Sequence, residues 1–234
     1  MRAVFAAIGI ALAASAATAN PQAQHHAATP AAERERFAAP APGSYELPAI
    51  DRVAQHYLLG TSARPEPLIG LEPGELALIS FVYLQCGEAC PLATAMLHRL
   101  DGELAKQPEV AKRVELVTVS FDPKRDTPAQ MRALRERLAP KGRWRFLTAA
   151  NERALRPVLE DFGQDAVWIP GTPEAPDSLR HVLKVFVVDA NGAVRQIYST
   201  GYLDSRLVIA DLRTLLGLYS PAPPREESHA HRPK

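Results

Sequence analysis

Cysteine is nearly absent: this 234-residue chain holds two, Cys86 and Cys90. Two are too few to staple a scaffold, so the pair reads as reactive rather than structural. Methionine is scarce as well, and Met96 and Met131 fall at helix-packing positions, which reads them as core side chains rather than thioether ligands. An excess of charge of either sign is missing. The net charge is +1 without a basic stripe or an acidic block, which argues against a nucleic-acid partner. No internal repeat is apparent. The apolar stretch near the N-terminus, Val4 to Ala17, holds 14 residues, against roughly 20 needed to span a bilayer.

That stretch follows Arg2 and ends in Ala17-Thr18-Ala19, a charged start, a short apolar run and a small-x-small cleavage pattern. It predicts a cleaved signal over residues 1–19 and a periplasmic protein. The alternative is an uncleaved anchor that holds the protein on the inner membrane, facing the periplasm. Outside the cytoplasm a close thiol pair is liable to oxidation. Residues 20–44 are rich in Ala and Pro, with His25 and His26 near the start, and read as a flexible linker. Residues 220–234 form a disordered Pro/His tail containing His229 and His231. Weak binding of divalent copper or zinc is the other reading of those tail histidines. The folded part is expected over 45–219.

Inside it the hydrophobic pattern alternates between two periods. A solid apolar run, 76–84, predicts a buried strand, and 91–107 predicts a helix with Pro91 at its first position. Residues 114–121 predict a second strand. Thr127, Pro128 and Gln130 open a helix as N-cap, N1 and N3 of a capping box, and that helix ends near Pro140. A short strand at 144–147 and a helix at 151–163 follow. Residues 164–180 read as a Pro/Gly-rich loop. Strand 182–188, the turn Asp189-Ala190-Asn191-Gly192, strand 193–199 and helix 204–217 complete the chain. This order implies right-handed parallel crossovers, then an antiparallel hairpin. The expected class is α/β, a thioredoxin-like fold whose mixed central sheet is flanked by helices and carries an inserted strand-helix segment.

The two cysteines stand where the first strand hands over to a helix, in Cys86-Gly87-Glu88-Ala89-Cys90-Pro91. Thiols there feel the positive end of the helix dipole, which favours thiolate. Thiolate serves either disulfide exchange or soft-metal binding. In this topology strand 182–188 runs antiparallel beside strand 76–84, bringing His181 over the pair. Two thiolates and an imidazole suit copper(I) in a trigonal site. Taken singly, a lone His before a strand is usually an ordinary surface or core residue, and a lone Cys-x3-Cys is weak. His56 and His98 have no cysteine partners, and His98 is expected to face solvent. Asp122, in Asp122-Pro123-Lys124-Arg125-Asp126-Thr127-Pro128, lies at the same sheet edge and is not needed for the helix cap, which makes it a candidate neighbour of the thiol site. Asp126 is read as favouring the helix N-terminus.

The cysteine motif, the run Ser120 to Pro128, and His181 before strand 182–188 together resemble the Sco/SenC family of copper chaperones, in the expected order over roughly 65–217. Trp144-Arg145-Phe146-Leu147-Thr148 matches a strand common in that family. The resemblance implies a thioredoxin-like fold, copper(I) and copper(II) as cargo, and Cys86, Cys90 and His181 as metal ligands, with Asp122 at a family acidic position. It also implies a role in assembling the dinuclear copper centre of cytochrome c oxidase. The implied partners are a copper-accepting client, an oxidase subunit or another copper enzyme, and a thiol reductant of the Cys86–Cys90 disulfide. The expectation is a metallochaperone rather than an enzyme. The alternative is a thiol-disulfide oxidoreductase using the same pair without metal.

Overall fold

The computed structural model describes residues 38–84, 89–164, 166–171, 178–180, 182–199 and 203–219, with the backbone alone at 89–91, 168 and 178–180. In chain order the strands are β1 (Asp51–Arg52), β2 (Tyr57–Leu59), β3 (Pro65–Pro67), β4 (Leu76–Val82), β5 (Val114–Ser120), β6 (Trp144–Leu147), β7 (Val167–Ile169), β8 (Ser178–Arg180), β9 (Lys184–Asp189) and β10 (Ala193–Ser199). The helices are α1 (Ala89–Leu104), α2 (Pro108–Ala111), α3 (Pro128–Leu138), α4 (Glu152–Asp161) and α5 (Ser205–Leu215).

Six strands form one sheet in the order β1-β10-β9-β4-β5-β6. β4, β5 and β6 are parallel, and β9 lies antiparallel beside β4 with Ser80 opposite Val185. The mixed sheet and the antiparallel neighbour agree with the sequence reading. β4 is buried on both faces, as a continuous apolar run in a central strand requires. Its alternate residues feed two cores. Ala77, Ile79 and Phe81 face one layer, with Leu155 and Val158 of α4. Leu76 and Leu78 face the other, with Leu97 and Leu100 of α1, Met131 of α3 and Leu212 of α5. This is the period-2 geometry of a strand placed between helical layers. Met131 is fully buried, and Met96 packs against the second core.

Several expected boundaries move. α1 starts at Ala89, so Cys90 is its second residue and Pro91 its third. Proline is tolerated there because first-turn N–H groups lack intrahelical partners anyway. β9 begins at Lys184 rather than 182. The segment 164–180, expected as loop, contributes the paired strands β7 and β8, with Val167 opposite Arg180. The Thr127 cap is present: its side chain accepts from the Gln130 N–H at 3.4 Å. The reciprocal half of the capping box is replaced, since the Thr127 N–H donates to the Arg125 carbonyl at 3.1 Å. The turn into β10 forms as expected. Asp189 Oδ1 accepts from the N–H groups of Asn191 (2.9 Å) and Ala193 (3.0 Å). Gly192 adopts φ +78°, and a Cβ there would lie 2.6 Å from the Val53 carbonyl oxygen.

Candidate metal centre

Parallel pairing sets the site's location. Val82 pairs with Ser120, so β4 and β5 end at one level. The chain then leaves β4 toward Cys86 and leaves β5 into the Asp122–Asp126 turn, at the same end of the sheet. β9 starts at that end too, because it runs antiparallel to β4. Cys86 and His181 lie outside the described residues, and for Cys90 the backbone alone is described, in the first turn of α1. Among the described residues no group of three or more His, Cys, Asp or Glu could hold a metal ion.

The floor beneath this end is aromatic. Phe81 of β4 packs against Phe121 at 5.4 Å, against Phe162 at 5.2 Å and, edge to face, against Phe186 of β9 at 6.2 Å. Complete burial of one such ring stabilises the fold by about 1.5–3 kcal/mol. The two strands that approach the site are therefore fixed to each other just below it. Lys184, the first residue of β9, also donates from Nζ to the Gly163 carbonyl at 3.1 Å. At the rim, Leu92 of α1 and Val182 are exposed.

Asp122 is buried at 4 % exposure. Its Oδ2 accepts from Nε of Arg125 and its N–H donates to Ser120 Oγ at 2.9 Å. Its carbonyl accepts from the Asp126 N–H at 2.8 Å. Asp122 thus sits at the expected sheet edge, engaged with its own turn.

Asp126 departs from the sequence reading. It is 2 % exposed, and its Oδ2 accepts from Ser120 Oγ at 2.6 Å and from the Leu84 N–H at 3.1 Å. Thr127 already caps α3, so the carboxylate serves the end of β4 instead. Burial pushes the Asp126 carboxyl up from its usual range, against the lowering pull of the Ser120 and Leu84 bonds; the Asp122 charge adds to the rise and Arg125 opposes it. The available sequence signal was redundancy: an acid next to a Thr-Pro cap has little left to do for the helix.

The other histidines are accounted for separately. His98 is exposed on α1. His56 Nε2 meets Asp161 Oδ2 at 2.8 Å. That same oxygen accepts from the Ala54 N–H at 2.9 Å, and this bond foremost, with His56 helping, holds the Asp161 carboxyl below its usual value against the opposing effect of burial. His25, His26, His229 and His231 lie outside the described residues.

The model of the SCO1/SenC family matches residues 72–217, from just before β4 to just after α5. The chain belongs to the SCO1/SenC family. The match spans the three strand ends just described and the helices on both faces. An SCO2-like protein of Rickettsia conorii is 27 % identical over 136 residues, 56 % of this chain and 60 % of that protein. A SCO1/SenC family lipoprotein from Bacillus anthracis shares the fold with a TM-score of 0.62 at 19 % identity, over 73 % of this chain and 99 % of that one. Yeast Sco1, solved with copper bound, superposes with a TM-score of 0.60 at 16 % identity, over 74 % of this chain and 92 % of that one. The fold is thus that of the thioredoxin-like Sco proteins, as the sequence reading expected. Among the described residues no helix is long and apolar enough to cross a membrane.

Proposed function

We propose that the protein is a periplasmic copper chaperone, exported by the signal over 1–19, in which Cys86, Cys90 and His181 bind copper as cargo. Family membership supports the copper assignment, together with the copper bound to yeast Sco1. One observation carries the ligand set. Ser80 and Val185 are paired across β4 and β9, six residues before Cys86 and four after His181, and both chain segments head for the end of the sheet where α1 begins. Reduced Cys86 and Cys90 each release a proton and bind copper(I) as thiolates, and His181 completes the site. Delivery proceeds by stepwise exchange of these ligands for thiols of the acceptor. The acceptor implied by family resemblance is the dinuclear copper centre of cytochrome c oxidase. The disulfide form offers no thiolate and takes no copper at this site, so a thiol reductant is a required partner.

Copper titration of the reduced, full chain tests this. One copper should bind per chain. Cys86→Ser and Cys90→Ser should each abolish tight binding, and His181→Ala should weaken copper(II) more than copper(I). Unchanged binding in all three variants would refute the assignment. Exchange with a dithiol substrate, with no copper uptake by the wild-type chain, would favour a thiol-disulfide oxidoreductase.

A further inference from the structure

We propose that Asp126 is a positioning residue for the thiol-bearing loop: its carboxylate pins the end of β4, so that the segment carrying Cys86 departs from a fixed point. The proposal deepens the reading above and rests on it for the importance of the two thiols.

Three strand ends or turns meet on this one side chain. Oδ2 takes the Leu84 N–H at 3.1 Å, two residues before Cys86, and the Ser120 hydroxyl at 2.6 Å, at the end of β5. Ser120 Oγ accepts in turn from the Asp122 N–H at 2.9 Å, and the Asp126 N–H donates to the Asp122 carbonyl at 2.8 Å. The exit of β4 and the turn after β5 are thereby locked to each other across 42 residues of chain. Helix capping does not explain the arrangement, because Thr127 performs it and the shared oxygen of Asp126 is engaged by Leu84 and Ser120.

A charge this deeply buried costs stability. The upward displacement of the Asp126 carboxyl means that the folded state favours its protonated form. Its contribution to stability is fully present below the ordinary Asp range and is lost as pH rises through the raised value. The fold thus holds the protonated form better than the ionised one, and Asp126→Asn, a neutral isostere of that form, should melt no lower than wild type.

The loop should respond differently. A pinned loop has less freedom to lose when its ends are joined in a disulfide. That favours the oxidised pair, and Asp126→Asn, a weaker acceptor for the Leu84 N–H and the Ser120 hydroxyl, loosens the pin. The test is the equilibrium of the copper-free full chain with glutathione buffers, read as the ratio of dithiol to disulfide, with the thiolate-to-copper(II) charge-transfer band as a second reading. Asp126→Asn should shift the ratio toward dithiol by roughly three- to tenfold, at or below the low end of effects seen for groups supporting a metal site, and should move the band. Thr127→Ala, in the same turn, should leave both unchanged. Ser120→Ala removes one partner of the carboxylate and should give a smaller shift in the same direction, which keeps the test informative if the Asn variant fails to fold. An unchanged or opposite ratio in a folded Asp126→Asn chain would overturn the proposal. A shifted ratio in a wild-type background that takes up no copper would uphold Asp126 while refuting the copper reading.

Discussion

Asp122 and Asp126 stand four positions apart in one turn and do different work. Asp122 pairs with Arg125 inside the turn, and Asp126 reaches across to the neighbouring strand. Thr127, at the end of the same turn, ties to the helix it starts. Thr127→Ala should lower stability by about 1 kcal/mol and leave copper affinity intact. Asp122→Asn, if that carboxylate supports the metal site, should change copper affinity by up to about tenfold with little loss of melting temperature. Paired melting and copper-titration curves on the two variants check this; a destabilised Asp122→Asn with normal copper affinity would reduce Asp122 to a turn residue. The Thr127 cap was legible because its pattern is local, a hydroxyl followed by Pro128 and a helical period. The role of Asp126 was not, because its partner Leu84 is distant in sequence; redundancy beside the Thr127 cap marks the acid as spare without showing where it reaches.

Elements with many residues on one period were legible to within a few positions. β4 and β5 are apolar runs in the sequence and buried strands in the structure, and α3 starts at its expected cap. The three-residue strands β2, β3, β7 and β8 were not legible, since three residues carry too little alternation to separate a strand from a loop. The segment entering the fold was equally hidden. Gly43 donates its N–H to Thr214 Oγ1 at 2.9 Å, and Tyr45 hydroxyl donates to Asp211 on α5. Tyr198 of β10 donates to the other oxygen of Asp211 at 2.6 Å. Arg195 holds the Leu47 carbonyl from Nε at 2.9 Å. Burial foremost, and then the bond to Asp211, pushes the Tyr45 phenol up to about 12, and the same causes push Tyr198 upward. A raised phenol contributes stability that is complete below the ordinary tyrosine value near 10 and is lost as pH rises through the raised one. The segment around Tyr45 should accordingly stay docked at pH 10 and release near pH 12. The difference in phenolate absorbance between wild type and Tyr45→Phe reports this directly; a Tyr45 midpoint at the ordinary value would contradict the docked arrangement.

At the scale of the whole molecule, the sheet order follows from the connections. Crossovers through helices join β4, β5 and β6 in parallel, and the tight turn at Gly192 folds β10 back on β9. Every consequence for the site descends from that order. Parallel strands bring the exit of β4 and the Asp122–Asp126 turn to one end of the sheet, and the antiparallel β9 starts from the same end. The sequence shows the strands and their connections, which is why the shared level of the β4 and β5 ends and the start of β9 was legible. It does not show how the side chains beneath that end are tied together, because those ties are between residues far apart in the chain. The central claim is that two thiolates of one motif and one imidazole from far along the sequence meet on one copper ion. Copper K-edge X-ray absorption on the reduced full chain loaded with one equivalent of copper(I) tests it most directly. The account predicts two sulfur scatterers and one nitrogen, with the nitrogen lost in His181→Ala. A coordination shell of nitrogen and oxygen alone, or one that Cys86→Ser leaves unchanged, would contradict it.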